Sequence, residues 1–318
     1  MKASIREDNF RGVPRKNKVI CIGGANIDQK IRLEEEFLPG TSNPVTSSRT
    51  LGGVIRNVSS NLAQLGAQVS LMTMLGQDSA GDEVFENSQQ SMEMSATERV
   101  SEYSTGTYTA VLSPTGELVG GFVDMAISRL MNRDWIERHV DHLRQNDWLV
   151  ADCNMLPDAM ERLIRLTRED QKKLAIITIS EPKMKHLPQE LTGVTLVVTN
   201  VSESRAFFHS LSDDPKELVR LWLDTGVEQV VITRGEKPVT FGSKEGIDQQ
   251  DTIKLTKEEI VDVTGAGDAF SAAVIYSLIQ GYSLDEAVTL GSRLAALTIQ
   301  SEESVRRDIT FARLEDLE

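Results

Sequence analysis

Short, uninterrupted apolar runs alternate along this chain with longer segments in which apolar residues recur every three to four positions. The runs lie at 18–23, 69–75, 148–152, 174–179, 196–199 and 230–233, and the helical patterns at 57–65, 156–168, 202–208, 215–224 and 269–280. A run without polar alternation predicts a strand buried on both faces, and its alternation with helices predicts an α/β fold with a mostly parallel sheet flanked by helices. Two segments break this rhythm. Residues 29–51 alternate between polar and apolar positions around a Pro/Gly-rich turn, and 101–124 do so around Ser113-Pro114-Thr115-Gly116, a hairpin signal. They predict a small β-sheet lid over the main domain. Residues 1–17 are polar and basic without periodicity and predict a mobile tail, which leaves 18–318 as one domain.

The 318 residues are enough for one large α/β domain with an appendage. A formal net charge of −14 argues against non-specific binding to nucleic acid or to an anionic membrane. It leaves room for a phosphate-bearing substrate, because helix dipoles and a metal ion can reverse the field at one site. Cys21 and Cys153 both fall in strand-like runs and read as buried thiols of a reducing cytosol. Neither a signal peptide nor an apolar run of membrane-spanning length is evident, so the expected location is cytoplasmic. His139, His142, His186 and His209 show no metal-ligand spacing, and no G-x-x-x-x-G-K-S/T string occurs.

The strongest chemical signal is the segment Val261-Asp262-Val263-Thr264-Gly265-Ala266-Gly267-Asp268-Ala269-Phe270. A β-prone apolar run leads into a small-residue turn, and the turn leads into 269–278, which reads as an amphipathic helix. Gly265, Ala266 and Gly267 would present main-chain N–H groups at the positive end of that helix, which suits a phosphate. Asp268 stands beside those donors as a proton acceptor. Amides for a phosphoryl group next to a base are what an alcohol kinase needs. A bare G-x-G-D is also an ordinary turn with an acidic first-turn residue. The longer string D-x-T-G-A-G-D-A-F resembles the signature of the ribokinase (phosphofructokinase-B) family of carbohydrate and nucleoside kinases. That resemblance implies a ribokinase-like fold, Asp268 as catalytic base and the preceding turn as anion hole.

Other segments extend the resemblance from about 18 to 303. Gly23-Gly24-Ala25-Asn26-Ile27-Asp28 follows the first strand, where ligands bind in open α/β sheets. Asn26 and Asp28 match the family's N-x-D element, whose aspartate binds ribose hydroxyls; a turn stabilised by its own Asn and Asp is the plain alternative. Gly52-Gly53-Val54-Ile55-Arg56-Asn57 resembles the second signature, with Gly52, Gly53 and Asn57 against the sugar. Val54 stands where ribose-specific members carry Lys, and Arg56 also departs from their pattern. Thr199-Asn200-Val201-Ser202-Glu203 matches the N-x-x-E element, which implies Asn200 near the nucleotide phosphates and Glu203 organising Mg²⁺ through water. A lone carboxylate suits a water-retaining Mg²⁺; a helix-capping carboxylate is the alternative role. Thr233 and Gly235 resemble the nucleotide-side T-x-G turn, with Pro238 where a second glycine is usual. Asp262 matches the position that contributes to a monovalent-cation site in potassium-activated members, although a structural turn aspartate fits as well.

Three segments narrow the acceptor. Gly52-Gly53-Val54-x-Arg56-Asn57, Phe122-Val123-Asp124-Met125-x-Ile127-Ser128 and Ala151-Asp152-Cys153-Asn154 are similar to strings in pseudouridine kinases. The resemblance implies ATP-dependent phosphorylation of a nucleoside 5′-hydroxyl, with Asn154 and Asp124 near the base. Val123 replaces the Asn of the related string. Another nucleoside or sugar kinase, or a non-catalytic sensor of the same fold, are the alternatives. A lid sheet with an exposed apolar face suits a second copy, so a lid-to-lid homodimer is a further expectation.

Overall fold

In the computed structural model, residues 17–316 are described. The first 16 positions of the predicted tail lie outside them, and Asn17 already donates from Nδ2 to the carbonyl of Ile279 at 3.2 Å. The main sheet runs in the order Gly246–Gln250, Lys237–Ser243, Gln229–Arg234, Leu196–Asn200, Lys173–Ile177, Trp148–Asp152, Lys18–Ile22 and Gln68–Met72. The first three strands form an antiparallel edge, and the rest pair in parallel.

Alternation along one strand explains the two halves of the core. Val19 and Cys21 face a cluster shared with helices Val54–Leu65, Ala266–Ile279 and Leu284–Ile299. Ile20 and Ile22 face the other cluster, with Pro157–Glu169, Val201–Phe208 and Pro215–Asp224. Both cysteines are buried and unpaired. No described helix is long and apolar enough to cross a membrane.

A second, four-stranded sheet runs in the order Val45–Gly52, Asn26–Leu33, Gly106–Leu112, Leu118–Asp124. The last two strands form a hairpin closed over Ser113–Gly116, where Gly116 donates to Ser113 at 2.9 Å. Asn26–Leu33 starts only four residues after the first main-sheet strand ends, so the second sheet leaves directly from the carboxyl edge of the first.

Three expectations need correction. The run at 69–75 is two strands: Gln68–Met72 joins the main sheet, while Met74–Gly76 turns away to pair with Glu98–Val100. The β-prone stretch before the glycine turn is not a strand. The N–H groups of Val261 and Asp262 both reach the carbonyl of Ile299, at 2.9 and 3.2 Å, and enter no ladder; Val261 and Val263 stand 53% and 65% exposed. Strand propensity needs a partner strand, and this loop lies against a helix end. Nor is the helix that follows amphipathic. Residues 269–277 of Ala266–Ile279 are all buried, because Val54–Leu65 and Leu284–Ile299 pack on it from either side. Leu284–Ile299 is a helix absent from the sequence pattern above, although Ser283 and Glu286 form a capping box at its start.

Candidate active site

The glycine turn holds Asp268 over the carboxyl edge of the main sheet. Gly265 caps Ala266–Ile279 with φ 83°, a left-handed conformation closed to most side chains. A Cβ there would also lie 2.3 Å from the carbonyl oxygen of Ser304, so the 301–308 loop backs the turn. The opposite side is open: a side chain on Gly267 would meet nothing within 4 Å. Ala269 donates to the Gly265 carbonyl at 2.9 Å, which leaves the first-turn amides of Gly267 and Asp268 without helical partners.

Asp268 is bound across the crevice by a residue far away in sequence. Asn57 Nδ2 donates to Asp268 Oδ2 at 2.7 Å, and Arg56 Nη1 donates to Asn57 Oδ1 at 2.8 Å and to the Leu51 carbonyl at 3.1 Å. Dense surrounding protein pushes the Asp268 carboxyl up to about 7. The Asn57 hydrogen bond and Arg56 pull it down, while Asp28 and Asp152 push it further up. Part of the residue still meets solvent. A proton acceptor that is reachable and poised near neutrality suits general-base work.

The predicted sugar-side residues converge on this pair. Asn26 Nδ2 donates to Asp28 Oδ1 at 2.6 Å, and burial lifts the Asp28 carboxyl above its ordinary value against the pull of Asn26, Arg56 and Lys30. Gly53 starts Val54–Leu65 with φ 94°, and a Cβ on it would lie 2.5 Å from the Gly24 carbonyl; Gly52 gives the same closeness to the Asp28 carboxyl. These glycines let the two sheets touch where the crevice forms.

Asp152, part of a motif string that assigns it no role, organises the floor. It is fully buried at the end of Trp148–Asp152 and accepts from the main-chain N–H of Gly24 at 3.1 Å, from Asn154 N at 2.9 Å and from Asn154 Nδ2 at 3.1 Å. Burial pushes its carboxyl up to about 6. Asn154 therefore sits in the crevice with its amide turned toward Asp152. Asp124 does not join this network: it is exposed and, among the described residues, its side chain accepts only from Ala126 N, at 3.3 Å. Its neighbour Met125 goes in instead, with its thioether against Gly106 and its methyl against Gly24. Alternation along the strand end settles which of the two enters, and the motif alone does not reveal it.

The residues expected on the nucleotide side lie farther along the same edge. Asn200 and Glu203 form a reciprocal capping box at the start of Val201–Phe208: Glu203 N donates to Asn200 Oδ1 at 2.9 Å, and Asn200 N to Glu203 Oε2 at 3.2 Å. Thr178 and Thr199 donate to the same Oε2. The capping role is thus real, yet it uses one carboxylate oxygen and leaves Oε1 for a metal-bound water. The Asn200 Nδ2 group likewise has no partner among the described residues, while Oδ1 also accepts from Ser202 Oγ at 2.8 Å. Among the described residues no cluster of three or more His, Cys, Asp or Glu side chains forms a metal cage. A Mg²⁺ held by nucleotide phosphates and water needs none, so Glu203 fits that ion. Thr233 Oγ1 donates to the Thr199 carbonyl at 3.2 Å, and Gly235 turns with φ 62° into the antiparallel edge.

Asp262 meets a different partner from the expected cation. Its Oδ2 accepts from Lys30 Nζ, on the second sheet, at 2.5 Å, and its Oδ1 from Thr264 N and Oγ1 at 2.9 and 2.7 Å. Both oxygens accept hydrogen bonds, and the Lys30 ammonium supplies positive charge where the resemblance implies a monovalent ion.

Comparison with known proteins agrees with this fold. The model for "pfkB family carbohydrate kinase" matches residues 16–308. The pseudouridine kinase of Escherichia coli is 25% identical over 303 residues, covering 94% of this chain and 96% of its own. The adenosine kinase of Saccharomyces cerevisiae is also 25% identical over 303 residues, with 90% and 87% covered. Among solved structures, a carbohydrate kinase from Agrobacterium tumefaciens superposes with a TM-score of 0.81 at 27% identity, covering 94% of this chain and 96% of that one. The ribokinase of Arabidopsis thaliana, solved with ribose and ATP, has the same fold at a TM-score of 0.82 and 17% identity, with 96% and 100% covered. With the family model spanning nearly the whole chain over a ribokinase-like α/β fold, this protein belongs to the pfkB family of carbohydrate kinases.

Proposed function

We propose that the chain transfers the γ-phosphoryl group of ATP to the 5′-hydroxyl of pseudouridine. The observation that carries the transfer is the Asn57–Asp268 hydrogen bond of 2.7 Å. It joins the second signature to the glycine turn and sets a base near neutrality beside first-turn amides. In this reading Asp28 and Asn26 bind the ribose hydroxyls, a carboxylate being able to accept from two at once. Asp268 takes the hydroxyl proton as that oxygen bonds to the γ-phosphorus and the bond to the bridging oxygen breaks. The Gly267 and Asp268 amides stabilise charge on the phosphoryl oxygens. Asn200 Nδ2 faces the nucleotide phosphates. Glu203 would hold Mg²⁺ through water, and the ion would neutralise phosphate charge. The second sheet acts as a lid, tied to the turn by Lys30 and Asp262, and excludes water that would compete for the phosphoryl group.

Support for pseudouridine comes from the floor of the crevice. The Asn154 amide and the Met125 methyl group meet at Gly24. A carboxamide matches the amide-type donors and acceptors of a uracil ring, and a thioether offers its face an apolar contact. Adenosine is the second reading, favoured by the equal identity to the yeast enzyme. The exposed apolar side chains Leu118, Val119, Phe122 and Val123 along the lid edge support a dimer formed through the lids. ATP-dependent phosphorylation of a panel holding pseudouridine, uridine, cytidine, inosine, adenosine and ribose tests the acceptor. Pseudouridine should give the highest kcat/KM; a higher value for any other member overturns that assignment.

A further inference from the structure

Among the described residues, Arg56 is the one cation buried beside Asp268 and Asp28, and the mechanism above gives it no task. It lies on Val54–Leu65 at 9% exposure, and its Nε has no partner among the described residues. A buried guanidinium with an orphaned donor costs free energy, so its charge needs a compensating reason. Two observations supply one.

The first is the direction of the Asn57 amide. A guanidinium only donates, so its partner at 2.8 Å must be the amide oxygen. The amide NH₂ is thereby turned toward Asp268, 2.7 Å away. Flipped by half a turn, Asn57 would set its oxygen against the carboxylate and its NH₂ against the guanidinium. Both contacts are repulsive, so Arg56 excludes that orientation. Its second hydrogen bond, to the Leu51 carbonyl at 3.1 Å, anchors the guanidinium to the end of Val45–Gly52.

The second is charge. Asp268 faces Asp28 and Asp152, both of which oppose its ionisation, and Arg56, which favours it. Arg56 in turn faces Asp268 and Asp28, which hold its proton on, and Arg307, which opposes it. Asp28 also gains from Arg56 and from Lys30. Of the groups acting on Asp268, Arg56 is thus the cation that counters two neighbouring carboxylates.

We infer that Arg56 is a positioning residue: it fixes Asn57 as a donor to Asp268 and supplies the counter-charge that favours the ionised form of Asp268. The inference rests on Asp268 being the base, and its test separates the two claims. In full-length Arg56→Met the acid limb of the kcat–pH profile should move up by about one pH unit. Turnover at neutral pH should fall about fivefold and recover in the alkaline range, with KM for ATP within about twofold of the wild type. Arg56→Lys, which keeps the charge, should recover part of the loss and should carry the test if the Met variant does not fold. A profile superimposable on the wild type, or a loss equal at every pH, overturns the inference. A ¹³C-carboxyl NMR titration, with Asp268 assigned through Asp268→Asn, decides the same question without turnover. The Asp268 midpoint should rise in Arg56→Met, and an unmoved midpoint contradicts the proposal. If no acceptor is phosphorylated, the kinase reading fails while the titration still decides the role of Arg56.

Discussion

Asp262 and Asp268 stand on either side of one glycine turn, six positions apart, and the fold gives them opposite acid–base characters. Asp262 is pushed up by partial burial, but the hydrogen bonds from Lys30 and Thr264 outweigh that and hold it below the usual carboxylate range. Asp268 is pushed up more strongly by burial, and one amide donor with a more distant guanidinium does not restore it. The first is a committed anion that ties the lid strand to the loop. The second is poised to exchange a proton near neutrality. The contrast comes from partners contributed by distant segments: Lys30 in one case, Asn57 and Arg56 in the other.

The sharpest way to break this comparison is to remove the poised carboxylate. Asp268→Asn should lower kcat by about 10³-fold while ATP affinity, measured by calorimetry, stays near the wild type. Turnover within a few-fold of the wild type would mean that Asp268 is not the base. Asn57→Ala should come next, with a loss of about 10- to 100-fold and an acid limb displaced upward, since the donor that favours the ionised form is gone. A displacement downward would contradict the geometry. Stability should move the other way from activity. The folded state holds the Asp268 proton to about pH 7, whereas the unfolded chain releases it near the ordinary 3.8. Between those values the native form binds more protons, so stability falls as pH rises, and the destabilisation is complete above the folded value. Thermal melts should therefore show Asp268→Asn gaining Tm over the wild type under mildly alkaline conditions and little or nothing under acid ones. The smallest effect belongs to Lys30→Met. Its ion pair with Asp262 is 41% and 25% exposed, so Tm should scarcely change. A looser lid should raise the acceptor KM by about two- to fivefold and leave the acid limb in place. A shifted limb would show that the two aspartates are not independent.

Legibility in the sequence follows the range of the interactions. The capping box of Asn200 and Glu203 spans three residues, and the parallel strands read directly from their apolar runs. The glycine turn is readable because Gly265 is required locally by its positive φ. The loop before it reads falsely as a strand, because exposed valines next to a glycine turn carry the composition of a strand without a partner strand. Arg56 shows in the sequence as a departure from the ribose-specific pattern and as one position of a string similar to those of pseudouridine kinases. Its meaning depends on Asn57 meeting Asp268, 211 positions away, and no local signal encodes that contact. Asp152 is hidden similarly: a polar residue that ends a strand looks alike whether it faces solvent or three donors.

The central claim is that Asp268 removes the acceptor's proton in a phosphoryl transfer. Its most direct test is the single-turnover rate of acceptor phosphorylation as a function of pH, measured side by side for the wild type and Asp268→Asn. The wild-type rate should rise through a single midpoint near 7 and then level, and the residual rate of the variant should lack that midpoint. A variant that keeps the same midpoint would assign the titration, and the base, to another group.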